Sequence, residues 1–345
     1  MWQAGKTFIK RAITASLYYS GVAWLCKAIV LRRRTVVLMY HRVLPAQPRP
    51  DAFSADAIVV TPATFERHMR FLRRFFNVIT VEQLRSMLSG ERSWIPRSCV
   101  VTFDDGWFDN VEHALPVLDR NCVPAIVFVA TAYLGTRQTF WQERLTRLLF
   151  GAWRLGQRSQ PIFQELQSSD ILLLQEEPAR AAIRQLVTRL KTGTQEQISE
   201  LIGRLEHWLL ANGVAVEGYG DDRFMSWSQA AALQNSGLVA VASHAHSHAP
   251  LTSIGPASVA QELRESTQHL RAHLDREPRF LAYPNGDYNE QVTELARSAG
   301  FQLAFTTDIG WVAPGDDPLR LKRINISERG TQSNAGFLCR LLGWF

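Results

Sequence analysis

Three short polar clusters could carry chemistry, and each directly follows an apolar run. The first is Thr102–Gly106, in which Asp104 and Asp105 stand side by side before a glycine. The second, Ser243–His248, contains three of the nine histidines, and the third, Tyr283–Asp287, has the sequence Tyr-Pro-Asn-Gly-Asp. Carboxylates and neutral imidazoles are the groups that bind divalent metals and transfer protons in proteins. The residue types therefore indicate a site for metal-assisted or acid–base chemistry.

Each cluster also has a simpler structural explanation. Two carboxylates before a glycine can cap a helix, a lone exposed histidine needs no function, and Tyr-Pro-x-Gly is a turn pattern. The clusters nevertheless share one property, because all three stand at the end of a predicted strand. Ligands of parallel α/β folds gather at the carboxyl ends of the strands. We therefore expect the three clusters to meet in one site.

The elements that must position these clusters alternate along the chain. Strand and helix patterns alternate over residues 35–140 and 226–326, whereas 141–215 is helical in period. Alternation of this kind predicts a parallel sheet, here closed or nearly closed into a barrel, with 141–220 as a helical insertion. The predicted strands are Val36–Val43, Cys99–Asp104, Ala125–Thr131, Leu238–Ala242, Arg279–Tyr283, Leu303–Thr307 and Leu319–Ile326. The predicted helices are Pro62–Phe76 (with Thr61 as N-cap), Val81–Leu88, Phe108–Arg120, Trp227–Asn235, Val259–Leu274 and Glu290–Ala299.

Composition and charge exclude several classes of protein. The 345 residues are 46% hydrophobic and 20% charged, which is ordinary for a globular protein and excludes intrinsic disorder. The four cysteines lack CxxC spacing, which favours buried thiols in a reducing compartment over a zinc ribbon or redox pair. Residues 1–50 hold nine basic and no acidic side chains, so the remaining 29 basic and 32 acidic residues carry a net charge of −3. A nucleic-acid-binding body is therefore not expected, and the absence of His-Glu-x-x-His argues against a zinc protease.

The basic end of the chain surrounds a mostly apolar stretch, Ala12–Leu31. We predict an amphipathic helix within residues 1–34, with peripheral membrane contact as the first interpretation. A helix packed on the protein body and a true anchor or signal are the alternatives. Because Arg32–Arg34 directly follow the apolar stretch, we expect a cytoplasmic protein or one on the cytoplasmic face of the membrane, with a secreted or anchored form as the alternative.

The motifs, taken in order, resemble a known family. Thr-Phe-Asp-Asp-Gly, Ser-His-x-x-x-His and Ala-Tyr-Pro-x-Gly resemble the polysaccharide deacetylase superfamily (NodB homology, carbohydrate esterase family four). The opening Leu-Met-Tyr-His-Arg-Val resembles the subgroup that has this strand before the aspartate pair. The resemblance covers residues 35–140 and 220–327, within a deacetylase domain expected over 35–345. It implies a deformed (β/α)7 barrel, a divalent metal (usually zinc, with cobalt or nickel as alternatives) and removal of acetyl groups from sugars.

The resemblance also assigns roles to individual residues. It implies that Asp105, His244 and His248 bind the metal and that Asp104 is the general base. Such a ligand set leaves positions on zinc for water and the acetyl carbonyl. The backbone N–H of Tyr283 is implied as the donor that stabilises the oxyanion.

The sequence departs from the common family pattern at two points. No histidine follows His273 to serve as general acid, so His41 is expected to take that role. The arginine that orients the base is replaced by Ala282, and we expect Arg323 to substitute for it, with a surface charge as the alternative.

Four further residues are candidates for minor roles. Trp107 and Trp311 are candidates for stacking on a sugar ring, with core packing as the alternative. His246 is expected to support the site from outside or to face solvent, and Ser247 to bond a ligand or the backbone.

The predicted function is metal-dependent removal of N-acetyl groups from N-acetylhexosamine residues of a poly- or oligosaccharide. The basic apolar N-terminus favours a lipid-linked or membrane-assembled glycan. A carbohydrate O-acetyl esterase is the first alternative, since the same site cleaves both bonds. A non-catalytic glycan-binding protein on the same fold is the second.

Overall fold

The computed structural model describes residues 2–46, 54, 56–190, 194–216 and 222–344, and the side chains of all of these except 2–9, 56 and 195. The chain divides into two compact units. The first holds Met1–Pro48, Asp56–Thr136 and Phe224–Phe345, and the second holds Arg49–Ala55 and Arg137–Arg223.

A closed barrel of seven parallel strands forms the centre of the first unit. The order of its strands is β1-β10-β9-β8-β7-β6-β5, and β5 pairs with β1 to close the ring. Outside the ring, β4 pairs with β5, and β2 pairs with β3. This confirms the predicted deformed (β/α)7 barrel. The strands are β1 Thr35–Tyr40, β2 Arg42–Val43, β3 Val59–Val60, β4 Asn77–Val78, β5 Ser98–Phe103, β6 Ala125–Val129, β7 Val239–Ser243, β8 Phe280–Ala282, β9 Leu303–Ile309 and β10 Leu321–Asn325.

The barrel strands are continuous apolar runs because both of their faces are buried. Successive side chains point to opposite faces, so Val36 and Leu38 belong to the apolar cluster under the outer helices, whereas Val37 belongs to a second cluster with Phe128 and Phe305. The helices of this unit are α1 Trp2–Tyr19, α2 Val22–Val30, α3 Pro62–Phe75, α4 Val81–Leu88, α5 Leu115–Arg120, α10 Trp227–Asn235, α11 Pro256–Leu274, α12 Glu290–Ser298 and α13 Asn334–Leu341.

The predicted strand Val36–Val43 is interrupted at His41. The chain leaves the barrel there, and Arg42 and Val43 pair instead with Val59 and Val60. The prediction of one strand was therefore wrong in a way that matters for function, because the break falls on a candidate site residue.

The N-terminal segment is two helices and not one. Gly21 has a φ of +84° between α1 and α2, and the two helices meet at 75°. Glycine adopts this left-handed conformation without steric cost, so it allows the turn. Within the described residues, no single helix is long and apolar enough to cross a membrane, although this bent pair reaches the required length and composition together.

The cysteines fit the prediction of buried thiols only in part. Cys99 and Cys339 are buried, Cys26 is half-buried and Cys122 is exposed.

The second unit is helical and has its own apolar core. Leu149, Phe163, Ile183 and Leu205 are among its buried residues. Its helices are α6 Trp141–Arg154, α7 Gln160–Glu165, α8 Glu176–Leu190 and α9 Gln195–Ala211.

Candidate active site

The aspartate pair stands on a turn that aims both carboxylates to one side. β5 ends at Phe103, and the next residues reverse the alternation of the strand because Asp105 and Gly106 both have positive φ, +79° and +88°. Aspartate tolerates this conformation better than most residues, and glycine adopts it freely. A side chain at Gly106 would also meet Val129 Cγ1 at 2.9 Å. The tight turn therefore requires the glycine that follows the pair.

Asp104 is buried and held by a buried arginine. Arg323 on β10 donates from both terminal nitrogens to the two Asp104 oxygens, each at 2.7 Å. Arg323 Nε donates to the carbonyl of Thr306, and one terminal nitrogen also reaches Thr102 Oγ1. Burial alone would raise the pKa of Asp104, but the charge and hydrogen bonds of Arg323 outweigh burial and lower it. Asp104 is consequently an ionised carboxylate in a fixed orientation.

The histidine cluster brings two imidazoles to the second aspartate. His244 and His248 each place Nε2 3.5 Å from Oδ1 of Asp105. His244 donates from Nδ1 to the carbonyl of Ala282 at 2.7 Å, because a carbonyl can only accept. In the neutral ring, Nε2 therefore carries the lone pair that could bind a metal. Ligand atoms of Asp105, His244 and His248 all lie within 4.8 Å of one another, the only such group of three among the described residues.

The electrostatics of this trio fit a bound cation. Burial lowers the pKa of His248 to about 4, aided by nearby His244, so its ring is neutral. Burial opposes charge on His244 as well, but Asp105 and the charge of Asp104 raise its pKa above the ordinary value. The pKa of Asp105 is well below its usual range despite burial, because His244, His41 and His248 favour the anion. Since Arg323 neutralises only Asp104, the second carboxylate leaves a buried negative charge for a divalent metal.

Trp107 supports Asp105 and does not face a substrate. The indole is fully buried, and its Nε1 donates to Asp105 Oδ2 at 2.8 Å. Its ring stacks on Phe224 at 4.3 Å, with the Arg42 guanidinium 4.2 Å from its centroid. Arg42 is itself paired with buried Asp109 at 2.9 Å. The expectation that Trp107 stacks on a sugar is therefore wrong, because both faces of the ring are covered.

Glu262 on α11 organises the histidine loop and was missed by the sequence analysis. Its carboxylate accepts from the backbone N–H groups of His246 and Ser247 at 2.9 and 2.8 Å and from Ser247 Oγ at 2.5 Å. The Nδ1 atom of His246 forms a hydrogen bond with Thr131 Oγ1 at 2.9 Å, and not with either aspartate of the pair. No spacing in the sequence distinguishes this glutamate from the other acidic residues of its helix.

His41 lies directly beside the aspartate pair. Tyr40 pairs with Phe103, and the backbone N–H of Asp104 donates to the Tyr40 carbonyl at 3.0 Å, so His41 and Asp104 follow neighbouring strand ends. Asn110 Nδ2 donates to the backbone carbonyl of His41 at 2.8 Å. The His41 Nδ1 atom is buried and has no hydrogen-bond partner within the described part of the chain. The residue as a whole is half-buried, so part of it is open to solvent.

The prediction that the backbone N–H of Tyr283 stabilises the oxyanion is wrong. Its N–H donates to the Phe305 carbonyl at 3.0 Å, and its hydroxyl donates to Leu319. The exposed Asn285, two residues later, adopts a left-handed φ of +56° and shows no acceptor for its N–H among the described residues. Gly286 is required beside it, because a side chain there would overlap Thr307 Oγ1.

Trp311 lies at the other end of the barrel. Its neighbour Val312 pairs with Thr35, the first residue of β1, whereas the site follows the last residue of that strand. Its Nε1 donates to the Leu341 carbonyl on α13. Trp311 is therefore not placed to contact a substrate at the aspartates.

Three solved structures share this fold. They are the Streptococcus pyogenes deacetylase PplD in complex with acetate (TM-score 0.57, 17% identity, 88% of this chain and 96% of that chain), IcaB from Ammonifex degensii (0.57, 19%, 90% and 97%) and a de-N-acetylase from Aggregatibacter actinomycetemcomitans (0.55, 16%, 86% and 95%).

The sequence comparisons agree with the structural ones. The Bacillus subtilis relative YxkH, provisionally named as a polysaccharide deacetylase, is 19% identical over 292 residues, which are 84% of this chain and 71% of YxkH. The family model for polysaccharide deacetylase matches residues 93–171 and 190–304, more than half of the chain and both the aspartate and histidine motifs. The chain belongs to the polysaccharide deacetylase family.

Proposed function

We propose that this carbohydrate deacetylase is a metal-dependent hydrolase that removes N-acetyl groups from N-acetylhexosamine residues of a poly- or oligosaccharide. The observation that carries the proposal is the pairing of Asp105, His244 and His248 with a second, separate carboxylate. This second carboxylate is Asp104, which is hydrogen-bonded to Arg323 and directly precedes Asp105 in the chain. One carboxylate for a metal and another for a proton is the division of labour that hydrolysis of an acetamide needs.

Asp105, His244 and His248 would hold a divalent metal, with zinc as the first expectation and cobalt or nickel as alternatives. One carboxylate oxygen and two imidazole nitrogens are a donor set that zinc accepts, and three protein ligands leave room for water and substrate. When bound, the metal supplies a water of lowered pKa and polarises the acetyl carbonyl.

Asp104 takes a proton from the attacking water in this proposal. It is ionised, and its bidentate contact with Arg323 fixes the plane of its carboxylate. The guanidinium is buried and also bonded to the Thr306 carbonyl, so its planar fork holds the carboxylate in one orientation.

His41 gives a proton to the departing amine. Hydrolysis adds water to the acetyl carbon, breaks the C–N bond and releases acetate and the amine, which leaves readily only when protonated. The position of the half-buried His41 beside Asp104 supports this assignment. An acid that serves a poor leaving group favours an amide substrate over an ester.

Acetate release tests the proposal directly. Wild type, Asp104→Asn, His244→Ala and the matched exposed control His207→Ala are incubated with zinc and with N-acetylglucosamine oligomers or O-acetylated xylan, while bound metal is assayed in parallel. We expect acetate from the N-acetylated oligomers with wild type and His207→Ala, no acetate with Asp104→Asn despite full metal loading, and loss of both with His244→Ala. Preference for the O-acetylated glycan would favour the esterase. Bound glycan without acetate from either substrate would favour the non-catalytic alternative.

A further inference from the structure

The bent helical pair presents an exposed apolar surface, which is uncommon for a folded chain in water. On α2, Val22, Leu25 and Ile29 follow helical spacing on one face, with 45%, 63% and 66% of each residue exposed. Ile13 and Tyr19 of α1 are exposed as well, by 45% and 83%. We call Val22, Leu25 and Ile29 the apolar patch.

The one charged residue of α2 is turned away from this patch. Lys27 is buried, and its ammonium donates to the Phe75 carbonyl and lies 4.6 Å from the centroid of Phe76. Trp24 packs beside it against Phe71 and Phe75. The helix is thus fixed to the barrel through its inner face. Its outer face carries no charged side chain.

Basic side chains border the patch where the chain passes from α2 to the first barrel strand. Arg32, Arg33 and Arg34 are exposed and line a recess of about 710 Å³ next to Ile29. Its other lining residues, Val30, Ala313 and Pro314, include no acidic group. Apolar side chains flanked by clustered arginines complement a bilayer whose headgroups are phosphate anions.

We propose that the outer face of α2, together with Arg32–Arg34, is a docking surface for an anionic phospholipid bilayer. The apolar patch enters the boundary between headgroups and acyl chains. The arginine-lined recess receives the headgroup phosphates. This inference does not depend on the proposed hydrolysis.

The docked orientation places the candidate active site away from the lipid. Arg34 directly precedes Thr35, the first residue of β1, whereas His41 follows the last. Six residues of strand span about 20 Å. This one consequence rests on the proposed function: the acetyl group that is removed lies beyond the headgroup layer, on a glycan that extends from the surface.

Vesicle cosedimentation of the whole chain tests the docking surface. Wild type is mixed with vesicles of phosphatidylcholine alone or of phosphatidylcholine with phosphatidylglycerol. We expect binding to the anionic vesicles that salt weakens. Leu25→Glu with Ile29→Glu should abolish it, and Arg32→Glu with Arg33→Glu should weaken it at least about tenfold, since each basic residue near such a surface contributes about fivefold.

Matched controls distinguish binding through this surface from nonspecific hydrophobic or electrostatic adsorption. Leu173→Glu changes an exposed leucine of the second unit, and Arg264→Glu changes an exposed arginine of α11, which packs on β7 across the barrel from β1. Both should bind as wild type does, and all variants should keep the wild-type melting temperature. Equal binding to neutral and anionic vesicles, no binding to either, or equal loss in the controls would overturn the proposal. Acetate release from a soluble oligomer, measured on the same variants, should not change.

Discussion

Arg323 and Asp104 lie 219 residues apart in the chain and are joined by two parallel hydrogen bonds of 2.7 Å. Both side chains are almost entirely withdrawn from water. A buried pair of this geometry contributes orientation more than stability, because the desolvation of both charges offsets their attraction. Breaking the pair from one side is different, since it leaves the other charge unpaired.

Replacing Arg323 should therefore be costly to both stability and activity. We expect Arg323→Met to lower the free energy of unfolding by about 3–5 kcal/mol, because it leaves the Asp104 carboxylate buried and uncompensated. Urea denaturation measures this loss. The double variant Arg323→Met with Asp104→Asn should recover most of the stability and none of the activity. If the single and double variants are equally unstable, the pair does not carry the effect.

Trp107 gives a prediction about metal affinity. Trp107→Phe keeps an aromatic ring between Phe224 and Arg42 but removes the N–H that donates to Asp105 Oδ2. Groups that orient a metal ligand typically change metal affinity by about 10–100-fold, and we expect a loss in this range. Competition with a chromophoric chelator measures it. Trp311→Phe, which loses an N–H bond at the other end of the barrel, should leave the affinity unchanged; equal affinities in all three proteins would contradict the assigned role.

The barrel could be predicted because its strands are buried on both faces. Uninterrupted apolar runs such as Ala125–Val129, separated by helical patterns, leave few other arrangements. The same property hid the break at His41, since Val36–Tyr40 before it and Val43 beyond Arg42 continue the apolar pattern. The two-residue strands β2 and β3 are too short to show a period, and the turn at Gly21 lies inside a pattern that is helical on either side.

The site was predictable where motifs fix positions and not where contacts decide roles. The aspartate and histidine motifs located Asp104, Asp105 and His244 in the sequence. The burial of Trp107 and the bond that occupies the Tyr283 N–H depend on neighbours from distant segments, which no spacing shows. Glu262 was missed for the same reason, because its partners are backbone groups of another loop.

His68 gives the fold a dependence on acid. Its Nε2 donates to the Thr331 carbonyl at 2.8 Å, so Nδ1 of the neutral ring accepts from the Tyr40 hydroxyl, and the ring stacks on Phe337 at 3.8 Å. Burial lowers the pKa of His68 from 6.5 to about 3. Below pH 6.5, His68 of the unfolded chain therefore binds a proton, whereas His68 of the folded chain binds one only near pH 3. Stability is fully present above this window and should fall by up to about 5 kcal/mol across it.

The variant His68→Phe isolates this contribution. It should be less stable than wild type at neutral pH, because Tyr40 and Thr331 each lose a buried partner, but its stability should fall less steeply with acid. Urea midpoints measured between neutral pH and pH 4.5 or so give the slope. His113→Phe, at a partly exposed position of the same unit, should keep the wild-type slope. A slope unchanged in His68→Phe would show that other groups cause the acid sensitivity.

His41 gives the sharpest test of the chemistry, because a general acid matters only for a poor leaving group. An amine must be protonated to depart, whereas 4-nitrophenolate leaves without help. We expect His41→Ala to lower kcat for an N-acetylated oligomer by about 100-fold or more and to change hydrolysis of 4-nitrophenyl acetate by only a few-fold. Asp104→Asn should impair both reactions, since both need the attacking water to lose a proton. Equal losses on both substrates in His41→Ala would assign His41 to orientation of the site and leave the amine to another proton donor.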